Sequence, residues 1–273
     1  MKKILIFTIG TLVLSGLALS AQVGSHRAFG DGEKLVYAVS YKVSFVNTDV
    51  AEVSFLTNFN SSKGTPVYRI EANGKTYPFY KWFFDLNDTY TSTLDSATLR
   101  PLELKTELKE GKYRYSSRFD YDWENKKVHT AYRNHKNPDS TYKSLKLTEG
   151  SYDALALFFN LRCADLSQIE AAGGSGSMKL VLEDTIRTIG YRFLGRENKH
   201  IRGAGKFRTL KFRCQMATST GESFEDGDEF TLWVSDDKNR IPIYVESPIR
   251  VGSIRARLIE WKNLRYPLDS KIN

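Results

Sequence analysis

The chain has 273 residues, of which 26% are charged, and a formal net charge of +8 at pH 7. Basic and acidic side chains are interleaved along most of the sequence, which is typical of a solvated surface. This argues against nucleic acid as a partner, since nucleic-acid-binding proteins concentrate basic side chains in a patch. The length allows one large hydrophobic core without help from disulfides.

The first 21 residues have the order of a secretion signal. Lys2 and Lys3 precede an apolar run from Ile4 to Leu19, and small residues close the segment at Ala21. This is the order of a charged n-region, an h-region and a cleavage site. The alternative is a retained membrane anchor, because the run is near the lower length limit for a spanning helix. We expect export to the periplasm or outer envelope, and a mature chain, residues 22–273, that is one domain without a transmembrane segment.

The two cysteines lie far from this segment. Cys163 and Cys214 are the only ones in the chain, so no cysteine follows the h-region and we do not expect a lipoprotein. An exported compartment permits a disulfide between them. Two buried free thiols are the alternative, and spacing alone does not decide between the two.

Alternating apolar and polar side chains predict most of the strands. From Glu33 to Phe45 a period of two gives one large apolar or aromatic face, and the pattern resumes from Val53 to Phe59 after a turn. A hairpin with one solvent-exposed face is predicted for Leu102–Lys109 and Tyr113–Phe119. Further strands are predicted at residues 127–133, 178–183, 188–194, 207–217, 229–235, 241–246 and 251–261, with a loop at 134–141.

One segment has a helical pattern. Ser151 is predicted as its N-cap, with Asp153 at the positive end of the helix dipole. The following apolar side chains cover a wide stripe, which predicts a helix pressed into the sheet or plugging its concave side. These side chains are Ala154, Leu155, Leu157, Phe158, Phe159 and Leu161. A short second helix is predicted at 166–171 and a flexible connector at 173–177.

Together these elements predict a mainly β fold. We expect a single large, strongly curved antiparallel sheet or open barrel with one main buried helix at about residues 151–162.

No common catalytic or cofactor motif occurs in the chain. The four histidines, His26, His129, His135 and His200, are scattered along the sequence. The acidic residues from Glu225 to Glu229 lack the spacing of a calcium-binding loop, and we predict a hairpin turn there. We therefore predict no catalytic residue, no metal site and no cofactor.

The aromatic segment from Tyr77 to Phe84, YPFYKWFF, is the most unusual local feature. If the segment were exposed, its rings would form a surface that contacts apolar groups or stacks on sugars. We expect it to be buried, because aromatic side chains are the main packing material of large sheets.

Four segments in order carry a resemblance to a known family. They are GEKLVY at 32–37, TSTLDSATLRPL at 91–102, SYDALALFFNLR at 151–162 and FTLWVSDDKNRIPI at 230–243. In these the chain resembles the exported bacterial family catalogued as domain of unknown function 3108. The resemblance implies an exported β-rich domain and brings no catalytic residues. Trp233, Asp236 and Arg240 match the pattern, and their implied role is to form a strand, a turn and the next strand.

The functional expectation is a non-enzymatic periplasmic or envelope protein. It would bind an apolar or amphipathic, lipid-like ligand, or an envelope protein. This follows from export, a high Tyr and Phe content and the missing catalytic motifs. The alternatives are an envelope hydrolase that cleaves a glycan with paired carboxylates, and a structural or assembly protein of the envelope. The sequence does not identify the ligand-binding residues.

Overall fold

The computed structural model describes residues 26–43, 46–62, 64–215, 229–249 and 252–272. The predicted secretion signal and residues 225–228 of the acidic cluster lie outside these ranges. Within them, sixteen strands form one sheet. The strands are β1 (Lys34–Val43), β2 (Val46–Ser62), β3 (Thr65–Thr76), β4 (Asn87–Asp95), β5 (Pro101–Glu110), β6 (Tyr113–Asp122), β7 (Lys127–Asn134), β8 (Asn137–Lys146), β9 (Ser151–Tyr152), β10 (Ser175–Val181), β11 (Ile186–Ile201), β12 (Gly205–Gln215), β13 (Glu229–Ser235), β14 (Pro242–Pro248), β15 (Ser253–Lys262) and β16 (Lys271–Ile272).

The sheet consists of two meandering arms that join at β1 and β15. One arm runs from β1 to β8, and the other runs from β15 back to β9, with β16 pairing with β12 beside the main path. All neighbours are antiparallel except the short parallel pair of β9 and β10. The edges β8 and β9 do not pair with each other, so the sheet is unclosed. This confirms the predicted mainly β fold.

The helix α1 (Ala154–Arg162) lies inside the curved sheet, and α2 (Leu166–Ala171) follows it. The apolar core around α1 contains Ile70 and Leu94 from the first arm and Leu180 and Ile189 from the second. Side chains of both arms can meet one helix only where the sheet curls around it. The predicted helix on the concave side is therefore confirmed, as is the second short helix.

The N-cap of α1 is Asp153 and not Ser151, so that prediction was wrong. The Asp153 carboxylate accepts hydrogen bonds from the backbone amides of Leu155 and Ala156 at 3.0 and 2.9 Å. Ser151 belongs to β9, where it pairs with Lys179 of β10. A carboxylate carries a full negative charge toward the helix dipole, which favours Asp153 over a hydroxyl as the cap.

The strands β3, β4 and β8 were not predicted. Pro66 and Gly74 interrupt the pattern of β3, and β4 turns the polar side chains of Asp88 and Ser92 inward. The prediction of a loop at 134–141 was wrong, because Asn134 ends β7, residues 135–136 form a tight turn and residues 137–141 begin β8. Nearly all side chains of β8 are exposed. An edge strand of this kind is specified by backbone pairing and not by a buried face.

The segment 173–177 is only in part a connector. Gly173 and Gly174 form a turn with φ of +77° and +73°, which suits glycine, and Ser175 already begins β10. Predicting flexibility over the whole segment was therefore wrong.

Both cysteines are buried free thiols. Cys163 belongs to the core around α1, whereas Cys214 belongs to a second core under β11–β15. Burial raises the pKa of each thiol. Of the two alternatives for the cysteines, the structure therefore has the buried free thiols, and Cys214 is 1% exposed.

Successive turns of an antiparallel meander alternate between two ends of the sheet. We call one end the rim; it carries the connections at residues 77–86, 111–112, 135–136 and 182–185. We call the other end the base; it carries residues 26–33 and the turn at 236–241. Trp233 lies in β13 and Asp236 in the following turn, as expected, whereas Arg240 lies in that turn and not in the next strand, β14.

Candidate functional site

A buried ion pair fixes the carboxyl end of α1 at the base. The guanidinium of Arg162 donates to both Glu33 oxygens at 2.5 and 2.9 Å, and the side chains are 2% and 1% exposed. Arg162 also donates to the backbone carbonyls of Asn239 and Ala28 at 3.0 and 3.2 Å. Because this side chain is fully engaged within the protein, its role is to hold the fold together.

Further hydrogen bonds fix α1 to the strand β4 and the turn after it. The hydroxyl of Ser92 donates to the Asp153 carboxylate at 2.9 Å, and the Asn160 amide donates to the carbonyl of Leu99 at 2.9 Å. Together with Glu33 and Asn239, these residues come from all four segments named in the sequence analysis. The four segments therefore meet around α1, and their shared role is structural.

A cleft lies between α1, the concave face of β4–β6 and the end of β10. Its volume is about 540 Å³, counting space open to solvent. Apolar and aromatic side chains form most of its wall, with two small hydroxyl side chains on the floor. The lining residues are Tyr90, Leu104, Thr106, Leu108, Tyr115, Ser117, Phe119, Ala154, Leu155, Leu180, Val181, Leu182 and Glu183.

One polar pair stands in this apolar wall. The Tyr115 hydroxyl donates to a Glu183 carboxylate oxygen at 2.6 Å. Burial and the neighbouring Glu183 charge raise the pKa of Tyr115, and burial raises the pKa of Tyr90 well above its usual range. Both phenols thus keep their protons at neutral pH. The cleft offers an apolar surface with a carboxylate at one place, which suits a ligand that is largely apolar and has one polar group.

The other side of α1 has a second cleft of about 490 Å³, again counting open space. Its lining includes the apolar and aromatic side chains of Phe158, Tyr191, Leu210 and Phe212, together with Arg240. Burial lowers the pKa of the Arg240 guanidinium. An apolar cleft thus lies on either side of the helix.

Two carboxyl groups on the concave side have raised pKa values, and both have structural causes. Burial raises the pKa of Asp153 and of Asp88 to about 6 in each case. Asp153 is the cap of α1, and one Asp88 oxygen accepts from the Lys109 amide at 3.0 Å. The other Asp88 oxygen is buried without a partner among the described residues. These roles explain both pKa values without the acid catalysis that the hydrolase hypothesis requires.

Asp88→Asn is expected to weaken the pH dependence of stability between about pH 4 and pH 6. The folded protein holds the Asp88 proton with a pKa of about 6, whereas the unfolded chain has a value near 3.9. Folding therefore favours the protonated group, and the wild type loses stability as the pH rises through this window. The measurement is urea unfolding at about pH 4 and at about pH 7. The free energy of unfolding should fall between these pH values by about 1–3 kcal/mol less in the variant than in the wild type.

The matched control is Asp139→Asn, at an exposed aspartate of β8. It should leave the loss between the two pH values unchanged. An Asp88→Asn protein that loses as much stability as the wild type would show that this carboxyl group is well solvated.

The four histidines lie apart from one another in the fold. His26 contacts the carbonyl of Lys238 at 3.0 Å and stacks on Tyr266, and His135 packs on Tyr113. His129 and His200 are exposed on β7 and β11. Within the described ranges, no cluster of three or more His, Cys, Asp or Glu side chains is placed to hold a metal ion.

The aromatic segment is exposed, so the prediction of burial was wrong. Phe79, Trp82 and Phe83 are 75%, 82% and 78% exposed. The segment belongs to the rim connection between β3 and β4, which contains a 3₁₀ turn at Pro78–Tyr80 without buried residues. The burial prediction rested on aromatic content alone, and this connection does not turn its rings toward the apolar core.

Comparison with known proteins places the chain in a family. A family model described as "Protein of unknown function (DUF3108)" matches residues 36–259. The chain belongs to this family. The DUF3108 match includes all the strands from β2 to β14 and both helices, so it concerns the whole sheet and not one motif. No curated protein matches this DUF3108 chain.

A solved structure supports the fold. The chain is similar to a β-barrel-like protein of domain of unknown function DUF1849 from Brucella abortus, with a TM-score of 0.54 and 10% sequence identity. The similarity covers 86% of this chain and 99% of that chain. At this identity it shows the architecture alone. None of the helices in the described residues is long and apolar enough to cross a membrane.

Proposed function

We propose that this DUF3108 protein is an exported envelope protein that binds a lipid-like, amphipathic ligand without catalysing a reaction. The ligand occupies the cleft between α1 and β4–β6. The observation that carries the proposal is the composition of that cleft, in which apolar walls surround the single Tyr115–Glu183 pair. The periplasmic or outer-envelope location rests on the signal-like order of residues 1–21.

The position of the cleft supports this proposal. Its floor is the concave face of the first arm, where Thr106 and Ser117 are smaller than the side chains around them. Its opposite wall is α1, which is tied to both the base and β4 by buried polar contacts. A preformed apolar space between rigid elements binds a ligand without the entropy cost of ordering loops.

Ser117→Phe is expected to weaken binding of the neutral fluorescent probe N-phenyl-1-naphthylamine by about tenfold or more, because the added ring occupies space in the cleft. Ser117 is 8% exposed and lines the cleft. The measurement is a fluorescence titration of the purified protein. Ala154→Phe, on the opposite wall, should produce the same loss by an independent route.

The matched control is Ser116→Phe, which places the same ring on the opposite face of the same strand, and it should bind the probe like the wild type. Circular dichroism and thermal melting check that each variant is folded. The proposal fails if the wild type shows no saturable fluorescence change and if organic extracts of protein purified from envelopes contain no lipid by mass spectrometry. A stoichiometric protein partner found without probe binding would instead support the assembly role.

A further inference from the structure

Three exposed aromatic rings project from the rim. We call residues Tyr77–Phe84 the aromatic tip. Its three exposed rings, Phe79, Trp82 and Phe83, follow one another within five positions, and each is at least 75% exposed. Single exposed apolar side chains are ordinary, whereas a cluster of large rings marks an interaction surface.

Backbone hydrogen bonds hold the aromatic tip in place. The amides of Phe83 and Phe84 both donate to the carbonyl of Tyr80 at 3.0 Å, and the amide of Tyr77 donates to Val50 of β2 at 3.0 Å. Beyond the tip, the Gly111 amide donates to the Asp85 carbonyl at 2.6 Å. These bonds hold the backbone of the tip in place while its rings face solvent.

Basic side chains outnumber acidic ones around the tip. The rim connections with the strand ends beside them, at 75–86, 107–114, 133–138 and 182–185, contain seven lysine and arginine residues and five acidic residues. Within the tip, the Lys81 side chain is 52% exposed and forms only a loose, exposed ion pair with Asp85 at 3.9 Å. Trp and Phe beside Lys suit the boundary of a bilayer, where the rings enter the headgroup region and the amines meet anionic lipid.

We propose that the aromatic tip docks the protein on the surface of a bilayer that contains anionic lipid. Phe79, Trp82 and Phe83 enter the interfacial region, and Lys81 contacts the phosphate groups. The β5–β6 hairpin, which binds Asp85 directly after the tip through Gly111, also supplies Leu108 and Tyr115 to the cleft. Docking therefore brings the rim side of the cleft close to the membrane, but it does not depend on ligand binding.

The test uses vesicles of phosphatidylcholine alone and vesicles of equal parts phosphatidylcholine and phosphatidylglycerol. The wild type should sediment with the anionic vesicles, and its tryptophan emission should shift to shorter wavelength as Trp82 leaves water. The double variant Trp82→Ser/Phe83→Ser should bind about 100-fold more weakly, about tenfold for each ring lost. Lys81→Gln should cost about fivefold, and only on the anionic vesicles.

The matched control is Tyr142→Ser, which removes a ring that is 73% exposed on β8 but outside the tip; it should bind vesicles like the wild type. The proposal is overturned if the wild type binds neither vesicle, or if the control loses as much affinity as the double variant. A dimer in sedimentation equilibrium that disappears in the double variant, without vesicle binding, would assign the tip to a second copy of the chain.

The two proposals can fail separately. Ser117→Phe should still bind vesicles, because it alters the cleft and not the tip. Trp82→Ser/Phe83→Ser should still bind N-phenyl-1-naphthylamine, because the exposed rings do not line the cleft.

Discussion

Arg162→Met is expected to lower the free energy of unfolding by about 3–5 kcal/mol, because the change leaves the Glu33 carboxylate buried without its partner. The pair lies at the base with both side chains at most 2% exposed. The backbone carbonyls of Ala28 and Asn239 also lose their donor. Urea unfolding followed by circular dichroism measures the loss.

Two further variants give this prediction its controls. Arg196→Met breaks an ion pair with Glu170 whose side chains are 50% and 39% exposed, and we expect a loss below about 1 kcal/mol. In the double variant Glu33→Gln/Arg162→Met, the charge left behind is removed, so part of the stability should return. If Arg162→Met costs no more than Arg196→Met, the buried pair does not hold α1 to the base.

Phe159→Ala should cost about 3–5 kcal/mol of unfolding free energy, since it removes a large ring from the centre of the core and leaves a cavity. Phe159 is fully buried, packs edge-to-face on Phe29 with the ring centroids 4.8 Å apart, and lies under the Arg162 guanidinium. Chemical denaturation again measures the loss.

The same substitution in the aromatic tip is the comparison. Phe83→Ala removes an equal ring that is 78% exposed, and we expect a change within about 0.5 kcal/mol. A large loss in Phe83→Ala would mean that this ring packs against the protein, and the docking proposal would lose its basis. A small loss in Phe159→Ala would contradict the position of α1 in the core.

The two phenylalanines show where local pattern is informative. Phe159 lies in a helical segment whose neighbours are apolar on nearly every side, so the sequence predicted its burial without knowledge of the fold. Phe83 lies in an equally aromatic stretch, but the stretch has no strand period. Composition alone led to the wrong prediction there, because a ring is buried only if the backbone turns it toward other apolar groups.

The sequence was sufficient for the mainly β architecture, for α1 and for hairpins such as β5–β6, because alternation along a strand and a wide helical stripe record burial residue by residue. Tertiary structure was needed for β3, β4 and β8. These segments are strands because they pair with neighbouring strands, and their own side chains do not show a strand pattern. Tertiary structure also decided the Glu33–Arg162 pair, joined across 129 positions, and the cleft. Contacts between distant segments leave no periodic pattern in the sequence. They form only when the sheet curves around the helix, so the sequence alone does not reveal them.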